Sequence, residues 1–229
     1  MSLWLQSPDE HRLSRPRGGH RLFARQPADR RDALLREGRL SRRQTGEWMH
    51  GEGDEETGVL AVVEGALKVY GQAPGGREAL IGLLPAGTVI GQSAAFGGGP
   101  RIVTAITAAP SLIFTLSDSA LRRVAAVHRG LWEALSALVY GQLRANAQAV
   151  AELIALKPRE RLIARLLQLA AATGGEIAIA QADLAEMIGV SRKAVNGWLG
   201  ELEAARLVER GYGVIRVLDV SRLERMLAG

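Results

Sequence analysis

Arg192, Lys193 and Asn196 set a guanidinium, an ammonium and a carboxamide close together, directly after Ser191. A guanidinium fork can donate two hydrogen bonds to guanine O6 and N7, a carboxamide can pair with adenine, and an ammonium reaches guanine or a phosphate. Ser191 and Gln181 carry groups suited to holding a phosphate backbone. A second set, Gly91, Gln92 and Arg101, joins a glycine turn whose amides can face an anion to a carboxamide and another guanidinium. Covalent chemistry has no comparable set. The chain has no cysteine, which removes thiolate nucleophiles, iron-sulfur ligation and disulfides, and fits a reducing cytoplasm. His11, His20, His50 and His128 are scattered, with no pair at metal-ligand spacing, and are read as surface or structural residues. Gly97-Gly98-Gly99 is not followed by the lysine and hydroxyl of a phosphate-cradling loop. An enzyme, a metal site and a cofactor are therefore not expected.

The first set needs a rigid scaffold, and residues 181–199 supply one. Two short helices crossing at a wide angle require a small residue where they nearly touch, which is Ala185, and a turn residue tolerant of positive φ, which is Gly189. Leu184, Ile188, Val190, Val195 and Leu199 form the apolar side, and Ser191 is a good N-cap for the second helix. Arg192, Lys193 and Asn196 then occupy the exposed start of that helix. In a helix-turn-helix this end enters the major groove of double-stranded DNA. A hairpin of Leu207–Arg210 with Gly213–Leu218 indicates the winged variant.

The second set lies in a different texture. From Leu34 to Phe114, short apolar runs such as 59–63, 66–70, 79–84 and 102–106 alternate with glycines, and Ala73-Pro74-Gly75-Gly76 separates two runs as a hairpin does. This is a β-sandwich or roll. Ser117 or Asp118 is read as an N-cap. Residues 131–156 then repeat apolar positions at helical spacing without proline, along a seam of Trp132, Leu135, Val139, Gln142, Asn146, Ala149 and Leu153. This seam is expected to pair with its copy in a homodimer. Lys157-Pro158 ends the helix and marks a hinge.

With 229 residues and 47% hydrophobic content, two domains are expected. The net charge of +5 is unevenly placed: +6 over residues 1–43, which hold eleven arginines, −3 over 44–156 and +2 over 157–229. The predicted organisation is α+β: a basic arm over 1–33, a β-roll sensor over 34–130, a dimerisation helix over 131–156 and a winged helix-turn-helix over 157–229. The arm is read as solvated and partly disordered. There is no targeting signal, and no apolar run approaches the ~18 residues of a membrane helix. No membrane association is expected.

This order of parts resembles the cyclic-AMP receptor protein and fumarate-nitrate-reduction regulator (Crp/Fnr) family over roughly Leu34 to Leu227. The resemblance rests on Gly46, Gly53-Asp54, Gly65, Gly87, Gly91, Gly99-Pro100-Arg101 and Ser191-Arg192-x-x-Val195. It implies a jelly-roll sensor, a dimer joined through its long helices, an inverted-repeat DNA site and work at promoters beside RNA polymerase. It also implies an effector pocket at Gly91, Gln92, Arg101 and Asn146. Members that bind cyclic AMP have Gly-Glu, Arg-Ser and Thr-Ser pairs where this chain has Gly91-Gln92, Arg101-Ile102 and Asn146-Ala147. Ile102 cannot donate the serine's hydrogen bond, so the expected effector is a small anion other than cyclic AMP, or there is none. The family's Arg-Glu-x-x-x-Arg readers correspond to Arg192, Lys193 and Gly197, and only the first is kept. A cyclic-nucleotide-type module whose C-terminal unit contacts protein or RNA is the alternative, and it predicts no sequence-specific retardation of duplex DNA.

Overall fold

The computed structural model describes residues 26–55, 58–97 and 99–228. The chain divides into two compact units, Met1–Leu143 and Arg144–Gly229.

Two four-stranded antiparallel sheets build the first unit. Strands β1 (Arg39–Arg43), β2 (Trp48–His50), β3 (Gly58–Glu64), β4 (Ala66–Ala73), β5 (Arg77–Pro85), β6 (Val89–Ile90), β7 (Thr104–Thr107) and β8 (Ser111–Ser117) pair in the orders β1-β8-β3-β6 and β2-β7-β4-β5. Strand β3 explains the layering. Alternate side chains of a strand point to opposite faces, so a strand buried on both faces reads as a continuous apolar run. In β3, Leu60 and Val62 join Leu67, Val69, Ile90, Ala105 and Ile113 in one core. Val59, Ala61 and Val63 point the other way, into a second core closed by helices α1 (Ala28–Glu37), α3 (Asp118–Val127) and α4 (Gly130–Ala155), while the short helix α2 (Gln92–Gly97) follows β6. The hairpin expected at residues 73–76 joins β4 to β5, and Ser117 caps α3 by accepting a hydrogen bond from the Ala120 amide at 3.3 Å.

Helix α1 departs from the sequence reading. Residues 28–33, assigned to a solvated arm, are its first turns. Leu34 is fully buried in the roll's second core, and Arg123–Glu37 (2.7 Å) and His128–Asp29 (3.4 Å) contacts tie α1 to α3 and to its C-cap, His128. The rest of the arm, residues 1–25, lies outside the described residues.

The face of α4 also differs from expectation. Leu131 and Leu135 are buried in the roll's own core, with Trp132 and Leu138 packed against it, and Gln142 Nε2 donates to the Val89 carbonyl at 2.8 Å. The first half of the seam read from sequence therefore serves the roll. Exposed instead are Ser136, Tyr140, Leu143, Ala147, Val150 and Ile154, which recur at alternating steps of four and three.

In the second unit, α5 (Pro158–Thr173) begins where Pro158 occupies the first helical turn and the Lys157 amide donates to Glu160 Oε2 at 2.8 Å. A small sheet, β10-β11-β9, joins β9 (Glu176–Ala178) to the hairpin of β10 (Val208–Gly211) and β11 (Val214–Val217). Helices α6 (Gln181–Met187), α7 (Arg192–Ala204) and α8 (Val220–Ala228) complete it, around Leu162, Leu166, Ile177, Leu184, Val195, Leu199 and Leu223.

Candidate nucleic-acid interface

The turn between α6 and α7 has the predicted construction. Ala185 is buried, Gly189 adopts φ 70°, and the Gly189 and Val190 amides donate back to the Glu186 and Ala185 carbonyls, both at 3.0 Å. A Cβ at Gly189 would have open space around it, so the backbone angle, not crowding, calls for glycine. Ser191 Oγ accepts from the Ala194 amide at 3.2 Å. That bond fixes the start of α7, and Val195, Leu199 and Leu202 anchor its inner side. Arg192, Lys193, Asn196 and Gly197 stand exposed on the opposite side, at i, i+1, i+4 and i+5. Gln181 is half-buried at the first position of α6, and Ser191 is exposed although its oxygen is committed to the cap.

Asn196 has a neighbour that the sequence did not disclose. Its Oδ1 accepts from Arg210 Nη1 at 2.9 Å, and Arg210 is held in turn by Glu203, with Nε and Nη2 at 2.8 and 2.6 Å from Oε2 and its own amide at 2.8 Å from Oε1. These bonds hold the Glu203 carboxyl below the usual carboxylate range. Asn196 and Glu203 lie on one stripe of α7, a signal that helical spacing could have offered. The link to Arg210 crosses to another element, and periodicity carries no trace of it.

In the first unit, the effector set is drawn inward. Gly91 (φ 89°) turns the chain so tightly against Arg101 that a Cβ there would collide with the guanidinium and with the Gly58 carbonyl. Arg101 is only 8% exposed, and its Nη1 donates to the Gly58 carbonyl at 2.8 Å. Gln92 is fully buried, and neither end of its carboxamide has a hydrogen-bond partner among the described residues. Ile102, by contrast, is 68% exposed. His50 is buried, and desolvation, then the nearby Arg101 charge, lower its pKa from 6.5 to about 4. Gly91, Gln92 and Arg101 are thus brought together. Asn146 lies exposed on the part of α4 that belongs to the second unit.

Residues 160–226 match the Crp-like helix-turn-helix domain, and residues 41–128 match the cyclic nucleotide-binding domain. The chain belongs to the Crp/Fnr family of transcription regulators. Among curated Crp/Fnr relatives, the CRP-like cAMP-activated global transcriptional regulator of Mycobacterium tuberculosis is 26% identical over 188 residues, 79% of this chain and 84% of that protein. Among solved structures, FixK2 from Bradyrhizobium japonicum has a TM-score of 0.73 at 22% identity, covering 82% of this chain and 96% of that one. The c-di-GMP responsive global regulator CLP of Xanthomonas campestris has a TM-score of 0.68 at 17% identity, covering 84% and 100%. These structures share the Crp/Fnr fold. Two matched regions in one chain, a roll and a helix-turn-helix, make it a Crp/Fnr-type transcription regulator. Among the described residues, no helix is long and apolar enough to cross a membrane.

Proposed function

We propose that the protein acts in the cytoplasm as a homodimer on double-stranded DNA carrying an inverted repeat, with one α7 in each major groove and half-sites about one helical turn apart. The observation that carries this reading is the exposed Arg192-Lys193 turn held in place by the Ser191 cap. Arg192 reads guanine. Lys193 reaches guanine or a phosphate, and Ser191 and Gln181 hold the backbone. The exposed heptad stripe of Tyr140, Leu143, Val150 and Ile154 supports pairing of two α4 helices, because its repeat of seven is that of a two-helix seam. Such a dimer at a promoter works beside RNA polymerase. Selection from a random duplex library tests the reading: an inverted repeat is expected, and recovery of unrelated sequences with no retardation of any duplex would overturn it.

For the roll we propose a small anionic effector other than cyclic AMP. The buried, unpartnered Gln92 carboxamide beside Arg101 supports a polar ligand, since leaving an amide unsatisfied costs about 1–3 kcal/mol that a ligand could offset. The cAMP-activated relative favours a second reading, in which this roll takes the same nucleotide. Against it stand Gln92, which lacks a charge for the ribose hydroxyls, and Ile102, which has no hydroxyl for the phosphate. Two lost bonds to charged groups amount to roughly 3–6 kcal/mol, or about two to four orders of magnitude in affinity. Calorimetry on nucleotide-free protein separates the readings: micromolar cyclic-AMP binding abolished by Arg101→Ala would establish the second.

A further inference from the structure

The bond between Arg210 and Asn196 bears on which base pairs the protein selects. Arg210 lies along α7 over the stripe Asn196, Gly200 and Glu203, with its Nη1 and Nη2 atoms both 3.9 Å from where a Cβ would stand at Gly200, ordinary van der Waals contact that places the guanidinium over that position. Glu203 holds it through hydrogen bonds from Nε and from the main-chain amide, both at 2.8 Å, and through an ion-pair contact of Nη2 with Oε2 at 2.6 Å. An ion pair that brings Nε and Nη2 to one carboxylate oxygen, with the main-chain amide bonded to the other, is directional as well as attractive. Nη1 points on to Asn196 Oδ1 at 2.9 Å. A guanidinium only donates, so the oxygen of the Asn196 amide must face it, and the NH2 end must face away.

We propose that Arg210 is a specificity-determining positioning residue, which presents Asn196 to DNA as a hydrogen-bond donor. An unrestrained asparagine suits adenine, whose major-groove edge needs one acceptor and one donor from the protein. With its oxygen held by a cation on the wing, Asn196 offers its NH2 group to an edge of two acceptors, N7 and O6 of guanine. The sequence-based pairing of Asn196 with adenine is thereby replaced. Arg210 touches no base in this scheme and acts through Asn196 alone. The inference rests on the reading of α7 as the helix that enters the major groove.

The full-length protein and its selected operator test it. Asn196→Ala first locates the base pair that Asn196 reads, by flattening preference there. The affinity ratio for guanine over adenine at that pair is then measured for the wild type and for Arg210→Met combined with Glu203→Gln, a pair of changes that conserves net charge. Because the readout is a ratio, any loss common to both operators cancels. The ratio is expected to fall roughly fivefold, the worth of one neutral hydrogen bond. An unchanged ratio, or a uniform loss on specific and random DNA, would overturn the proposal and make Arg210 a structural or phosphate contact. Arg192→Ala is the control for the underlying reading, since it should relax preference at its own base pair whatever Arg210 does. If it also has no effect on selectivity, the reading of α7 fails with the proposal. Should the double variant not fold, side-chain amide relaxation in the free wild type decides the matter: Asn196 is expected near the order parameter of rigid structure, ~0.85, and a value below ~0.6 overturns the clamp.

Discussion

Arg101 and Arg192 carry the same group, and the two units treat it in opposite ways. In the roll, the guanidinium of Arg101 is folded against the Gly91 turn and donates to the Gly58 carbonyl. On α7, Arg192 stands in solvent on a helix fixed beneath it by Ser191 and by Val195 and Leu199. The difference is one of commitment. A guanidinium already bonded inside a fold has fewer N–H donors to offer a ligand, and any reorientation it needs is subtracted from the affinity. An exposed group on a rigid element gives up water and side-chain freedom, and no internal bond. The DNA-facing unit is preorganised, while the roll has turned its ligand-type residues toward its own interior, with Gln92 the member that has no partner among the described residues.

The two faces of α4 give the largest test of this contrast. Leu135→Glu places a carboxylate in the roll's second core and is expected to cost about 3–5 kcal/mol, enough to lower the roll's melting transition sharply. Val150→Glu with Ile154→Glu, on the exposed stripe, should leave melting of the roll nearly unchanged and give monomers by light scattering. If the outward pair melts the roll and Leu135→Glu does not, the assignment of the two faces is reversed.

Next in size is the acid response of the roll. His50 has its folded pKa near 4 against 6.5 unfolded, with Arg101 and Asp54 as the charges acting on it. Above pH 6.5 neither state protonates it, so its contribution is flat. Between pH 6.5 and 4 only the unfolded chain gains the proton, and stability falls by up to about 1.4 kcal/mol per pH unit, or ~3 kcal/mol across the window. Denaturant titrations in that range should show a steeper decline for the wild type than for His50→Gln. Parallel curves would mean that the ring is protonated equally in both states.

A third test falls on the exposed side. Arg192→Ala should cost about 1–3 kcal/mol on the best operator and relax preference at one base pair, with thermal stability unchanged. Equal losses on operator and random DNA would make Arg192 a phosphate contact.

Much of this was legible from residue order because it rests on local rules. The Ser117 and Ser191 caps, the Gly189 turn, the hairpin at residues 73–76 and the break at Pro158 each depend on near neighbours in sequence. The first half of the α4 seam was assigned to a partner helix, although it serves the roll, for a definite reason. Both sides of that helix carry apolar residues at heptad spacing, and only the position of the roll decides that Leu135 is covered while Leu143 is 64% exposed. Helix α1 was hidden by its arginines, since a single deeply buried residue, Leu34, anchors it. The Arg210 clamp joins a strand to a helix, and no periodic pattern reports such a contact.

The smallest expected effect lies at the other end of α7 and isolates the cost of backbone conformation from that of charge. Arg206 is the non-glycine residue with positive φ, 58°, among the described residues. It follows the last turn of the helix, where the Leu207 amide donates to the Leu202 carbonyl at 2.9 Å and the Arg206 amide to the Glu203 carbonyl at 2.8 Å. This left-handed helix terminus is the one that glycine fills best, because a Cβ crowds the neighbouring carbonyl there. Arg206→Gly should therefore stabilise the second unit by about 0.5–1 kcal/mol, and raise its melting temperature by a few degrees. A helix-turn-helix brings the N-terminal end of α7 to the bases, so this change at the C-terminal end should leave operator preference as it was. A gain in melting temperature with unchanged selectivity would set Arg206 apart from Arg192 on the same helix. A loss of selectivity would instead bring the C-terminal end of α7 and the start of the wing into the DNA contact, and the contrast between a committed and an exposed arginine would then have to be drawn along α7 itself.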